Sequence, residues 1–219
     1  MIFRSAHLLI CSLIIFPLFG QSQTRVGISG GGTSANFEYP EQNQNAGYES
    51  EKKLGFNGGI KVDIPLVKSQ MLKLTPELFI NQNGAKDQYF TSWLAIRDSM
   101  VNNKISLDYI GIYFPVKFNL QAPDGAGIFL TAAFYADYTI SAKIASNQID
   151  GEDIEFKSEA DKIDMGYRFS FGLMVSEGVG IEVGYNEGIK NIEFATKLNS
   201  NTTQLVNNRG LTLSLVALF

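Results

Sequence analysis

Thiol and imidazole groups are almost missing from this sequence. It holds one cysteine, Cys11, and one histidine, His7, in 219 residues. Both fall in the N-terminal stretch MIFRSAHLLICSLIIFPLFGQSQ, where Arg4 precedes an apolar run from Leu8 to Phe19 and small residues follow at Gly20 and Ser22. A helix needs roughly 20 apolar residues to span a bilayer, and this run is shorter. The pattern is that of a cleaved secretory signal over residues 1–22, with Gln23 as the new first residue and cleavage after Gly20 as the alternative. Cys11 follows Ile10 inside the run, not a small residue at its end, so it does not mark a lipoprotein. Removing the signal leaves residues 23–219 with no thiol, disulfide or imidazole. Cys/His zinc sites, Ser-His-Asp triads and Cys-His dyads are excluded, and carboxylates remain as the common acid–base groups.

Strong charge is missing too. A net charge of −4 offers no basic footprint for nucleic acid. No segment after the signal has a helical period. A period of two recurs instead. In RGLTLSLVALF, Leu211, Leu213, Leu215, Ala217 and Phe219 share one parity, and Gly210, Thr212 and Ser214 share the other. In DMGYRFSFGLMVS, Met165, Tyr167, Phe169, Phe171, Leu173 and Val175 alternate with Gly166, Arg168, Ser170 and Gly172. The segments GIFLTAAFYADYTISAKI, LGFNGGIKVDIPL, LKLTPELFIN, YIGIYFPVKFNL and GIEVGYNEGIKNI read the same way, and with residues 24–37 they make eight strands. Several exceed ten residues, as strands tilted across a bilayer do. Short connections at 67–70, 121–126 and 177–178 alternate with long ones near 38–53, 84–104, 145–163 and 193–207. Short turns on one side and long loops on the other predict an all-β, closed, antiparallel, eight-stranded transmembrane barrel with an up-and-down meander. A lipocalin-like barrel is the soluble rival. It would hold its apolar face inward. Here the apolar face is rich in Leu, Ile and Phe and suits lipid, while the other face mixes charges with Gly and Ser and suits a tight polar lumen.

The segments VGISGGGTSANF, GFNGGIKVDIPL, LKLTPELFINQNGAK, YIGIYFPVKFNL, GYRFSFGLMVSEGVGIEVGYNEGIKNI and NNRGLTLSLVALF, in that order, resemble the PorT-like outer-membrane β-barrel proteins of Bacteroidota. The resemblance covers essentially all of residues 23–219. It implies an eight-stranded outer-membrane barrel without catalytic residues or cofactor. PorT itself is linked to a secretion machinery; most relatives are generic barrels.

Parity places Lys61, Asp63, Lys73, Glu77, Lys117, Asp137, Arg168 and Glu182 inside. A barrel of eight strands is just wide enough for side chains to fill, so these charges should pair into a plug. Asp150, Glu152, Asp153, Glu155, Glu159 and Asp161 crowd one long loop without the spacing of a calcium loop, and read as a solvated acidic segment. Tyr89, Phe90, Trp93, Leu94 and Ile96 lie in the loop 84–104, either as a partner-binding patch or packed on one another above the membrane. Pro76 and Pro115 fall mid-strand and call for bulges. Glu187 lies on the lipid parity, which places it near the outer interface or beside a bulge at Gly188. Phe56, Tyr138 and Tyr167 should belong to the outer aromatic girdle, and Phe118 and Phe219 to the periplasmic one.

The stretch RVGISGGGTSANF has Gly27 and Gly32 at the spacing of a phosphate-binding loop. Thr33 stands where such a loop has Lys, and no helix follows. The glycines belong to a strand, and residues 25–37 should pair antiparallel with residues 208–219. The expected function is a non-enzymatic envelope or secretion accessory, or a structural component. Its partners are outer-membrane lipid and envelope or secretion proteins; no nucleic acid or small-molecule cofactor is expected. The alternative is an adhesin-like surface-binding module acting through the long loops. A narrow channel and a barrel-embedded enzyme are the lesser alternatives.

Overall fold

The computed structural model describes residues 24–38, 49–67, 69–91, 99–121, 125–146, 151–195 and 203–219. The expected signal peptide lies outside the described residues. The strands are β1 (Arg25–Glu38), β2 (Glu49–Pro65), β3 (Leu72–Leu74), β4 (Glu77–Thr91), β5 (Ser99–Gln121) and β6 (Gly127–Ser146). They continue with β7 (Glu152–Asp153), β8 (Glu155–Phe156), β9 (Ile163–Met174), β10 (Val179–Gly188), β11 (Ile192–Ala195) and β12 (Thr203–Leu218). A single 3-10 turn, η1, spans Glu159–Lys162.

Eight antiparallel members form an up-and-down ring: β1, β2, β3 with β4, β5, β6, β9, β10 and β12. The ring closes where β12 returns to β1, from Gly27 opposite Leu218 to Glu38 opposite Asn207. This is the pairing expected of the glycine-rich stretch. A Cβ added at Gly31 would stand 1.9 Å from the carbonyl oxygen of Leu213, so the two backbones meet too closely there for any side chain.

Alternation gives the ring its two faces. Ile28, Ile60, Leu78, Ile112, Phe134, Phe169 and Leu213 are exposed on the outside. Thr33, Lys61, Asn81, Lys117, Arg168 and Thr212 are buried inside. Large rings also point inward, and two of them lie over a glycine on the paired strand. Phe129 lies opposite Gly172 and Tyr135 opposite Gly166. A Cβ at Gly172 would come within 2.0 Å of the Phe129 ring. At these two positions the missing side chain on the facing residue leaves room for the ring.

The expected bulges at Pro76 and Pro115 are replaced by a break. In an antiparallel strand a residue's N–H and C=O point to the same neighbour. Pro115 accepts from Thr75 N at 2.9 Å and Pro76 from Val62 N at 3.0 Å, but neither can return a bond. The third ring member is therefore interrupted at Thr75–Pro76, between β3 and β4, right beside Pro115. Register shifts fall elsewhere, between Lys52 and Asn57 on β2 and between Asp108 and Tyr109 on β5.

The segment expected as a long loop at 84–104 is mostly a ribbon. β4 and β5 stay paired up to Thr91 opposite Ser99. Extension of the ladder satisfies backbone groups that a bare loop would leave to water. The other long connections likewise hold β7, β8, η1 and β11. Phe219 lies at the short-turn end, its N–H bonded to Val26 O. Tyr138, on the outward face, donates to Glu159 of η1 at the other end, and Tyr167 pairs beside Glu187 toward that end. The two rims are thus separated in the predicted sense.

Candidate functional site

The lumen gathers most of the residues that sequence parity selects. Toward the short-turn end, Asp63 meets Lys117 at 3.1 Å and Lys73 at 3.5 Å. Lys117 Nζ also stands 4.4 Å over the Phe129 ring. Phe129, Met174, Val216 and Leu218 form an apolar cluster at this end. At mid-height Lys61 bridges Glu77 at 3.2 Å and Glu182 at 3.5 Å, while Arg168 reaches Glu182 at 3.2 Å. Hydroxyls complete the set: Ser29 donates to Glu77 at 2.5 Å, Ser170 to Glu182 at 2.7 Å, and Arg168 donates to Thr212 at 3.1 Å. Above them Phe79 stacks on Tyr113 with centroids 3.6 Å apart, and Tyr135 meets Tyr113 edge-on at 5.9 Å.

Asp137 is set apart. It is buried, and its Cα partner across β6 and β9 is a second buried carboxylate, Asp164. Asn208 donates to Asp164 at 2.8 Å and to the Tyr109 hydroxyl at 2.8 Å. Tyr109 also belongs to an apolar cluster at the long-loop end, with Phe37, Ile105, Leu107, Ile144, Ile154, Ile192 and Val206. Sequence reading missed Asp164, although it shares parity with Arg168, and Lys53, which fell within the expected loop 38–53. Lys53 is buried and donates to Asn83 O at 3.1 Å.

Little space is left between these side chains. Two internal cavities, lined by Lys61, Glu77, Tyr113, Arg168 and Glu182 among others, measure about 10 Å³ each. That is close to the least volume that holds one water. The mid-lumen is a packed, paired ionic layer.

Outside the lumen, Glu187 on the outward parity is met by Arg209, its cross-strand partner, at 2.8 Å. Arg209 also reaches Glu38 at 2.5 Å, and the Tyr185 hydroxyl bonds Glu187. The ladder runs unbroken from Glu187 to Gly188, so no bulge turns this glutamate away. The acidic loop is partly structured. Glu152 and Asp153 form β7, Glu155 opens β8, and Glu159 and Asp161 lie in η1. Asp150 lies outside the described residues. Lys162, bonded to Glu159 at 2.7 Å, holds that carboxyl below its usual range. Of the aromatic patch, Tyr89 and Phe90 lie on β4, opposite Val101 and Met100. Trp93, Leu94 and Ile96 lie outside the described residues.

Residues 19–193 match a family described as the outer membrane protein β-barrel domain. The fold is similar to that of the outer membrane protein OprG from Pseudomonas aeruginosa, with 8% identity, a TM-score of 0.50, and coverage of 89% of this chain and 95% of that one. Neisserial surface protein A is similar over 89% of this chain and 97% of its own, with 13% identity and a TM-score of 0.47. Ail of Yersinia pestis is similar over 89% of this chain and 98% of its own, with 13% identity and a TM-score of 0.42. Comparison with the curated proteins finds no match. The chain belongs to the outer membrane protein β-barrel domain family, and its place is the cell outer membrane.

Proposed function

We propose that this protein is a closed, lipid-embedded barrel that serves as a non-enzymatic accessory of envelope organisation or secretion, of the PorT-like type found in Bacteroidota. In this reading residues 1–22 are a signal peptide and residues 23–219 are the barrel. The observation that carries it is the filled mid-lumen. Lys61, Glu77, Arg168 and Glu182 satisfy one another across the ring, with cavities of only about 10 Å³ between them. Such a lumen supports a protein that acts through its rims and its lipid-facing wall, in contact with envelope or secretion proteins. It argues against a diffusion pore. The test is a deletion strain whose secreted proteins are compared with those of the parent. An altered secretome that returns on complementation is expected, and an unchanged one refutes the secretion role.

A second reading has its own observation. The β4–β5 ribbon continues as a paired ladder to Thr91 opposite Ser99 and carries Tyr89 and Phe90. Eleven residues separate Ile80, on the exposed apolar face, from Thr91, which at about 3.4 Å each is about 37 Å of ladder. An arm of that length suits surface binding. Excising 85–103 should abolish adhesion of whole cells while the barrel still migrates as a folded species.

A further inference from the structure

Two features at the long-loop end have no part in that reading. The first is the carboxylate pair. Asp137 and Asp164 are 2% and 1% exposed, and cross-strand side chains of this kind stand about 4.5–5.5 Å apart at Cβ. Among the described residues neither takes part in an ion pair, whereas every other carboxylate in the lumen does. Oδ1 of each is buried without a donor. Thr139 Oγ1, on the next inward position above Asp137, and Asn208 Oδ1, whose own amide touches Asp164, are also buried without a hydrogen-bond partner. No cationic side chain among the described residues bonds either carboxylate. Buried anions are costly unless a positive group meets them.

The second feature is what covers the pair. Phe37, Ile105, Leu107, Tyr109, Ile144 and Val206, all on ring strands, form an apolar cup directly above it. The cup is filled by Ile154 and Ile192, and neither belongs to the ring. Ile154 sits between β7 and β8, which pair with their neighbours at two positions each. Its own N–H bonds Ala142 O at 3.0 Å, and Gly151 just before it has φ of 55°. A segment held by so few ladder bonds opens far more readily than the ring itself. With those isoleucines lifted, the ring would present an apolar cup with two carboxyl groups at its floor, open on the outer side of the membrane.

We propose that this cup is a binding site for a small amphiphilic cation, an apolar body bearing one amine or quaternary ammonium, and that Ile154 and Ile192 occupy it in the closed form. The apolar body takes the place of the isoleucines. The cation reaches the Asp137–Asp164 pair, near Tyr109 and Tyr135, whose aromatic rings can also attract a cation. Selectivity follows from the floor: an anion of the same shape is repelled, and a neutral analogue leaves the carboxylates uncompensated.

The test uses the full mature chain folded in detergent, with hexyltrimethylammonium as probe and its neutral isostere tert-butyl pentyl ether as control. Binding is read by titration calorimetry against protein-free micelles. Saturable binding of the ammonium is expected, at least tenfold tighter than the ether. Ile154→Gly, which weakens the plug, should tighten it a further severalfold. Asp137→Asn with Asp164→Asn should weaken it at least tenfold while gel mobility still reports a folded barrel. If the double variant does not fold, Asp137→Asn alone serves, with a severalfold loss expected. Equal affinity for the ammonium and the ether, affinity unaffected by the aspartate changes, or no saturable binding even to Ile154→Gly would each overturn the proposal.

Discussion

Glu182 is the residue whose charge should matter most to the lumen. It is 6% exposed and accepts from Ser170 at 2.7 Å, Arg168 at 3.2 Å and Lys61 at 3.5 Å. Glu182→Gln keeps the shape and removes the charge. Lys61 and Arg168 are then left with Glu77, which lines the same small cavity as both. Breaking a buried pair by removing one partner costs about 3–5 kcal/mol. Gln can still accept from Ser170, which places the expectation at the low end, about 3 kcal/mol. Domains have a net stability of about 5–15 kcal/mol, so the loss is large enough to measure. Urea titration of the barrel in micelles, followed by the gel mobility of folded and unfolded species, reads it directly. Adding Lys61→Met restores one cation to one anion, Arg168 with Glu77. The double variant should therefore be at least about 1 kcal/mol more stable than the sum of the single effects. A single variant within about 0.5 kcal/mol of wild type, or strict additivity, would refute a coupled network.

Other consequences are as direct. Gly172→Val pushes a side chain into the Phe129 ring, where a Cβ alone would stand 2.0 Å away; overpacking of this kind costs about 1–3 kcal/mol, and Phe129→Ala in the same chain should recover most of it in the same titration. Ser34→Cys with Leu211→Cys joins Cα partners across the β1–β12 closure. Paired strands bring Cα atoms to about 4.5–5.5 Å, within disulfide reach, so oxidation should crosslink the folded barrel quantitatively and fail to crosslink a variant of Gly31→Val that cannot close. Leu213→Arg places a charge on the exposed apolar wall and should cost about 2–4 kcal/mol in lipid vesicles, with little loss if that wall faces water instead.

Period-two reading went a long way on this chain, because a ring with lipid outside and charges inside gives opposite chemistry to alternate residues. It placed Lys61, Glu77, Lys117 and Arg168 on the inner face from parity alone, and paired 25–37 with 208–219. It failed where parity carries no information. The length of the β4–β5 ribbon was hidden because the stretch 81–88 is almost wholly polar, and nothing in its pattern distinguishes a ladder from a loop. The break beside Pro115 depends on which neighbour a proline faces, and only the register decides that. Ile154 is a lone apolar residue in the expected loop 145–163 and Ile192 only closes an expected strand, so their burial follows from pairings of β7, β8 and β11 only two to four residues long.

The charges inside the ring divide its labour along the axis. Lys53, Lys61, Lys73, Lys117 and Arg168 face Asp63, Glu77, Asp137, Asp164 and Glu182, so the described lumen is neutral in sum. It is not neutral level by level. Two of the pairs join strands that are not ladder neighbours, Lys61 on β2 with Glu182 on β10 and Asp63 on β2 with Lys117 on β5. A slip of one residue in any of these strands would turn the charge to lipid, so the paired charges hold the register of a ring whose outer face, uniformly apolar, could not. Asp137 and Asp164 lack that role. Their neighbours across β6 and β9 fix the same register without them, from Gly127 opposite Met174 to Tyr138 opposite Ile163. Replacing both with Asn should therefore leave barrel stability nearly unchanged or raised, since two buried carboxyl groups without a cation partner are removed, whereas Glu182→Gln lowers it. A stability loss of about 3 kcal/mol or more in the aspartate variant would mean that the pair is part of the structural plug after all, and that the outer end of the lumen is built for strength rather than for a ligand.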